Sequence, residues 1–212
     1  MYKNLFNLKI TLVILFFIPV ITFSQDGDGG VSLGVKGGAA FNSFGGDGVG
    51  VIKQRTGFMG GAFLNVSFLK VLSVQPEVLF HQGGATNTVN GHTDVLKLNY
   101  AEVPILFKLR IPIAGTVFPH IFAGPDFSYR IGATYTQTTT SNGEVITIDN
   151  GNIKKNGMGG VVGAGIDFQI DHLFLTIDGR YGATFTNLGN STYELNIYNK
   201  YLTIMAGVGV RF

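Results

Sequence analysis

Cysteine is missing from all 212 residues. Its absence excludes disulfide frameworks, thiolate nucleophiles and zinc–thiolate sites, and with them a lipid-modified cysteine at the mature N-terminus. Charge is scarce as well. Asp, Glu, Lys and Arg make up 13% of the chain, about half the fraction usual in a soluble globular domain, so a polar-surfaced cytosolic protein is disfavoured. The formal net charge of +2 is too slight to suggest nucleic acid, and no basic run or aromatic-interleaved basic patch occurs. Long apolar runs are also lacking after residue 25, because Gly, Lys, Asn, Asp or Arg interrupts each within a few positions. If the mature chain lies in a membrane, it crosses as strands rather than helices.

The first 24 residues are the exception to this pattern. Lys3 and Lys9 precede an apolar stretch from Ile10 to Ile21, and Thr22-Phe23-Ser24 puts small residues at the −3 and −1 positions, the three parts of a secretory signal. The stretch contains Pro19 and is shorter than the ~20 residues that cross a bilayer. Residues 1–24 are therefore expected to be a signal peptide removed before Gln25, leaving 25–212 as one domain.

Glycine (31 residues) and aromatics (12%) are plentiful, and apolar residues recur with period two, the mark of strands with two unlike faces. From 201 to 212, Leu202, Ile204, Ala206, Val208, Val210 and Phe212 oppose Tyr201, Thr203, Met205, Gly207, Gly209 and Arg211. Segment 98–111 sets Ala101, Val103, Ile105, Phe107, Leu109 and Ile111 against Tyr100, Glu102, Pro104, Lys108 and Arg110. Segment 173–185 repeats the arrangement. With 31–41, 57–69, 72–82, 117–131 and 157–170 the number of expected strands is eight, an even number within the range of bacterial barrels.

Connections alternate in length. Lys70-Val71, Pro112-Ile113-Ala114-Gly115 and Asp171-His172 are short, whereas 42–56, 83–97, 132–156 and 186–199 are long and rich in Gly, Asn, Thr and Ser. Short and long connections fall on opposite rims, as in an outer-membrane barrel with tight periplasmic turns and long outer loops. The fold expected is an all-β, eight-stranded antiparallel up-and-down transmembrane β-barrel in the cell outer membrane, with both termini periplasmic. Its expected surroundings are outer-membrane lipid and lipopolysaccharide.

With the greasy faces outward, the interior collects Lys36, Glu77, Glu102, Lys108, Arg110, Asp126, Arg130, Asp167, Asp178, Arg180 and Arg211. An eight-stranded barrel is only wide enough for side chains to fill it, so these groups are expected to pair as an interior ionic core, and Glu102 is expected to take a basic partner among Lys108, Arg180 and Arg211. Gly157, Gly159, Gly163 and Gly165 share one face of a strand, as do Gly207 and Gly209, and should leave room inside for larger neighbours.

Chemistry-bearing patterns are few. His81, His92, His120 and His172 show no metal-binding spacing. His172 and His92 are expected to be solvated, and His120 to be an interfacial polar group. Ser128 and His120 lie too far apart along one strand for a nucleophile and its base. No GxSxG elbow, Walker loop or dinucleotide fingerprint occurs, so neither an enzyme nor a cofactor is expected. Tyr129, Tyr135, Tyr181, Tyr193, Tyr198 and Tyr201 are expected at headgroup level near strand ends. Loops 132–156 and 186–199, the first containing the threonine-rich stretch from Thr134, are the places expected to meet a partner.

Several strands also carry motifs. Gln75-Pro76-Glu77-Val78-Leu79-Phe80, Tyr100-Ala101-Glu102-Val103-Pro104-Ile105-Leu106, Ala123-Gly124-Pro125, Gly163-Ala164-Gly165-Ile166-Asp167-Phe168 and Asp178-Gly179-Arg180-Tyr181 occur in that order. In this series the chain resembles the PorT-like outer-membrane β-barrel proteins of the Bacteroidota. The terminal Phe212 is similar to the insertion signal that the barrel-assembly machinery reads. The resemblance implies fold and location, with one branch associated with the type IX secretion apparatus. The function expected is that of a non-enzymatic envelope barrel acting structurally or through its loops. The alternatives are a component of that secretion apparatus or a narrow transport protein, and an exported soluble, lipocalin-like ligand-binding barrel with its greasy face inward. N-terminal sequencing of the envelope form is expected to start at Gln25, and a form retaining Met1 to Ser24 would contradict the cleavage.

Overall fold

The computed structural model describes residues 30–45, 53–89, 92–111, 113, 115–138, 143–146, 155–186 and 198–212; the expected signal peptide lies outside them. The elements are β1 (Gly30–Gly45), β2 (Lys53–Ser67), β3 (Leu72–Val89), β4 (His92–Arg110), β5 (Val117–Thr138), β6 (Gly143–Ile146), β7 (Asn156–Ile170), β8 (Leu173–Thr184) and β9 (Tyr198–Arg211). Eight of them close a ring in the order β1-β2-β3-β4-β5-β7-β8-β9, all antiparallel, with β9 returning to β1 from Ser32↔Arg211 to Gly45↔Tyr198. Closure pairs the edges that an open sheet would expose.

The period-two sequence pattern decides which face goes where. Along β8, exposed and buried residues alternate from Leu173 to Gly182, and the exposed members Leu173, Leu175, Ile177 and Tyr181 are the apolar row. Leu33, Val35, Val78, Phe107, Ile121, Val162, Ile204 and Val208 also point out of the ring and are exposed. The greasy rows therefore cover the outside. This overturns the lipocalin-like alternative, which needs them to line a cavity.

Inside, size is matched between neighbouring strands. Gly34 lies opposite Phe63, Gly163 opposite Phe122, Gly209 opposite Phe174 and Gly182 opposite Tyr201. A Cβ added to Gly163 or Gly209 would stand 2.3 Å from the Phe122 ring or 2.5 Å from the Phe174 ring, and one on Gly182 would stand 2.1 Å from the Tyr201 ring. Each of these four inward aromatics lies over a glycine, the arrangement that lets a large ring fit within a narrow closed sheet.

The short connections come out where expected, with Asp171 in the left-handed region at φ 53 in its two-residue turn, a conformation that Asp tolerates better than most residues. The long connections do not. Segment 83–97 is mostly strand, since β3 runs on to Val89 and β4 begins at His92. Within 132–156, β5 continues to Thr138 and pairs with the unexpected ninth strand β6. Residues 42–45, 53–56, 198 and 199 are likewise strand. In sequence most of these stretches run through consecutive polar residues such as Thr86-Asn87-Thr88 and Thr136-Gln137-Thr138, so no alternating apolar row marked them. The strands β3, β4, β5 and β6 rise as a small sheet beyond the tops of β7 and β8, which end opposite Tyr129 and Gly159 respectively.

Two bulges in one row mark the base of this raised sheet. Residues 55–58 of β2 face residues 82–84 of β3, and Ile131 of β5 has no counterpart between Asn99 and Tyr100 of β4. Bulges bend a strand and leave ladder groups unpaired. Here Asn42 Nδ2 donates to the carbonyls of Arg55 (3.3 Å) and Gln82 (3.1 Å), and Arg55 Nη1 donates to the carbonyl of Gly83.

Ile177, 52% exposed in the middle of β8, faces hydrocarbon in this arrangement. Ile177→Arg is expected to destabilise the barrel by about 2–4 kcal/mol in urea titrations in lipid vesicles, and the same change at Ile113 in a turn by about 0–1 kcal/mol. Equal effects at the two positions would contradict a bilayer around the ring.

Candidate functional site

The interior is the place where ionisable side chains converge, and it is organised in three layers. In the middle layer, Lys36 Nζ lies 2.7 Å from Glu77 Oε1 and 3.0 Å from Asp178 Oδ2. Arg180 holds Glu77 from the other side, Nη1 at 2.7 Å from Oε2, and reaches Asp178 Oδ1 at 3.3 Å. Two acids and two bases give a neutral cluster whose side chains are all at most 4% exposed. Strand β3, carrying Glu77, and β8, carrying Arg180, have three strands between them either way round the ring, so this pair spans the full bore. The Lys36 ammonium and the Arg180 guanidinium also lie over the Phe63 and Phe122 rings, at 5.0 and 5.2 Å from the centroids.

A polar chain reaches this layer along β2 and β3. Ser67 donates to Asn65 Oδ1, Asn65 Nδ2 donates to Gln75 Oε1 and Ser73 Oγ, and Gln75 Nε2 donates to Glu77 Oε1 at 2.7 Å. Buried carboxylates lose hydration, and such donors together with the paired cations replace it.

The layer nearer the short turns is built on Asp167, with Lys108 at 2.9 Å, Arg110 at 3.0 Å and His120 Nδ1 at 3.4 Å. His120 is 2% exposed. It is therefore an interior residue, not the interfacial one expected, because its even position in β5 puts it on the same inward face as Phe122 and Asp126. Arg110 and Arg211 are half-buried. Arg211, bonded to Gln169 at 3.4 Å, lines an open cavity of about 310 Å³ with Thr116, Phe118 and Asp171.

The layer nearer the raised sheet contains Glu102, but its expected partners lie elsewhere. Glu102 Oε1 contacts His81 Nδ1 at 2.6 Å, and His81 Nε2 contacts Asn42 Oδ1 at 2.7 Å. Lys108 and Arg180 belong to the layers below and Arg211 to the mouth, so Glu102 meets a residue that the sequence reading passed over. The parity of β3 marks His81 as inward beside Gln75 and Glu77, a signal that was available. Asp126 accepts a hydrogen bond from the Tyr201 hydroxyl at 3.0 Å. Tyr201, 4% exposed, is thus a lumen residue, not the headgroup-level tyrosine expected. Tyr129 and Tyr181 do face outward, while Tyr193 lies outside the described residues. Arg130 is buried and engaged.

All eleven residues expected inside thus lie in the lumen or at its mouth, in separate groups rather than one cluster. Phe212 is exposed beyond β9, its backbone N–H donating to the Val31 carbonyl at 2.9 Å.

Removing one member of a buried ionic cluster leaves the others uncompensated. Arg180→Met is expected to destabilise the barrel by about 3–5 kcal/mol, read as a lower temperature at which the folded band disappears on unheated-versus-heated gels. Adding Glu77→Gln should restore part of that loss through coupling, and simple additivity would contradict the bridge across the bore.

Among solved structures, the fold is similar to that of a major outer membrane protein from Thermus thermophilus, with 15% identity, a TM-score of 0.52 and coverage of 86% of this chain and 99% of that one. It is also similar to Neisserial surface protein A, at 13% identity and a TM-score of 0.50, covering 85% of this chain and 97% of that one. No curated protein sequence matches. The family model described as "Outer membrane protein beta-barrel domain" matches residues 23–190, most of the chain and seven of the eight ring strands, so this protein belongs to the outer membrane protein β-barrel domain family and is an outer-membrane barrel.

Proposed function

We propose that this barrel is a non-enzymatic component of the cell envelope that conducts nothing and acts structurally or through the sheet raised above its rim. The observation that carries the reading is the Glu77–Arg180 bridge, with Lys36 and Asp178 completing it, across the full diameter of the lumen. A path for ions or solutes would have to break buried pairs, each break costing several kcal/mol. The interior His81–Glu102 pair has the composition of an acid–base dyad, but His81 is wholly enclosed, which denies it a substrate.

The raised strands β3 to β6 supply the outer contact surface, carried on a rigid scaffold as binding segments commonly are. Gly30 and Phe212 lie at the short-turn end, which supports periplasmic termini. Strand β9, ending in Phe212, is the segment proposed to engage the barrel-assembly machinery. The outward rows are proposed to lie in outer-membrane lipid, with lipopolysaccharide around the upper rim. The ordered motifs on β3, β4, β5, β7 and β8 support a place among the PorT-like proteins.

Planar bilayers with the purified full-length protein test the central claim. No discrete current steps are expected, whereas Arg180→Met combined with Glu77→Gln should produce them if the bridge is what closes the bore. Reproducible steps with the unaltered protein would overturn the reading in favour of narrow transport.

A further inference from the structure

The layer of the lumen nearest the raised sheet differs from the other two in what its acids face. In the middle layer both oxygens of Glu77 have cationic partners, and both oxygens of Asp167 are taken by Lys108. Glu102 and Asp126, by contrast, each use one oxygen only, toward His81 and Tyr201 respectively. Glu102 Oε2 and Asp126 Oδ1 are buried without a hydrogen-bond partner. Four further buried oxygens share that condition: the Tyr100 hydroxyl, Thr203 Oγ1 and Asn199 Oδ1 on the strands around this layer, and Thr176 Oγ1 lower on β8, opposite Asp167.

Glu102, Tyr100, Asp126 and Tyr201 are linked through contacts around His81, and Asn199 and Thr203 flank Tyr201 on the inward row of β9. Tyr100 and Glu102 are inward neighbours on β4, and Asp126 faces Pro104, two residues further along that strand. Tyr201 approaches from β9 to bond Asp126, and its ring stands edge-on to His81 at 4.9 Å, while the Tyr100 ring is tilted against His81 at 6.2 Å. The nearby cations have partners of their own: Arg180 holds Glu77 and Asp178 through its two Nη atoms, its buried Nε having no partner, Arg55 donates to the carbonyl of Gly83, and Arg130 has its own contacts.

A buried polar atom without a partner needs an explanation, and several together in one layer share one. Carboxylate, hydroxyl and amide oxygens form the ligand chemistry of a hard cation, which takes about six to eight oxygens and completes its shell with water. No three His, Asp or Glu side chains converge among the described residues, so the set does not suit a transition metal that needs imidazole or several carboxylates. We propose that Glu102 and Asp126 hold a calcium-like, oxygen-seeking cation beneath the outer mouth of the barrel, with the tyrosine and threonine hydroxyls around it. The cation sits in the lumen between β4 and β5 on one side and β9 on the other, just below the bulges from which the outer sheet rises. It ties that sheet to the closed ring.

Terbium, which takes calcium sites and is excited by nearby tyrosine, serves as the probe. The protein contains no tryptophan, so sensitised emission reports tyrosines such as Tyr100 and Tyr201. The full-length chain refolded in detergent with Tb³⁺ should emit, and calcium should displace the signal. Asp126→Asn and Glu102→Gln should abolish the displaceable emission, whereas Asp171→Asn, at the opposite rim, should leave it intact. Calcium should also raise the temperature at which the folded band is lost, and Asp126→Asn should remove that rise. Absence of calcium-displaceable emission from the unaltered protein, or equal loss in the Asp171 variant, would overturn the proposal and assign water to these oxygens. If the lumen variants fail to fold, the calcium competition and the thermal shift on the unaltered protein decide the matter.

Discussion

Hydrocarbon around the ring is the constraint from which the remaining features follow. Rows such as Leu33 and Val35, or Leu175 and Ile177, are half or more exposed, which is tolerable only where lipid takes the place of water. Once those rows face lipid, period-two geometry sends every intervening side chain into a bore that eight strands make too narrow to hydrate freely. Glu77, Asp178, Lys36 and Arg180 then have one another as their main source of compensation. Their mutual contacts are a consequence of the membrane as much as a device of the sequence.

The same narrowness explains why glycine is so frequent. An aromatic ring directed into the lumen needs the volume of its cross-strand neighbour, and the partners of Phe63, Phe122, Phe174 and Tyr201 are all glycines. Phe63 and Phe122, so placed, lie over the charged ends of Lys36 and Arg180. Backbone space, ring placement and charge placement are therefore one packing problem. At the outer end the problem changes, because the strands outlast the apolar rows and two bulges re-aim them. Asn42 and Arg55 meet the carbonyls released there, so the raised sheet has a reinforced base.

How much of this was legible depended on whether a residue's environment was local or distant. The faces of β4, β8 and β9 could be read directly, since alternation of Glu102, Lys108 and Arg110 with Val103 and Phe107 is a property of neighbours in the chain. The tips of β3, β4 and β5 were not legible as strand, because consecutive Thr, Asn and Gln residues show no apolar–polar alternation, and the four residues of β6, Gly143-Glu144-Val145-Ile146, are too few to show a period. His120 and Tyr201 were assigned to the interface from residue type, while their positions in the even row of β5 and the odd row of β9 put them inside.

The amino-acid sequence by itself determined the barrel, its even ring and which charges are enclosed, because each follows from a repeat of two residues and from the lengths between repeats. Only the tertiary structure decided who meets whom. Glu102 finds His81 rather than a lysine or arginine, and Glu77 finds Arg180 across the bore, because the stagger of eight strands sets the height of every inward side chain. That stagger is a property of the closed ring, and no segment taken alone carries it.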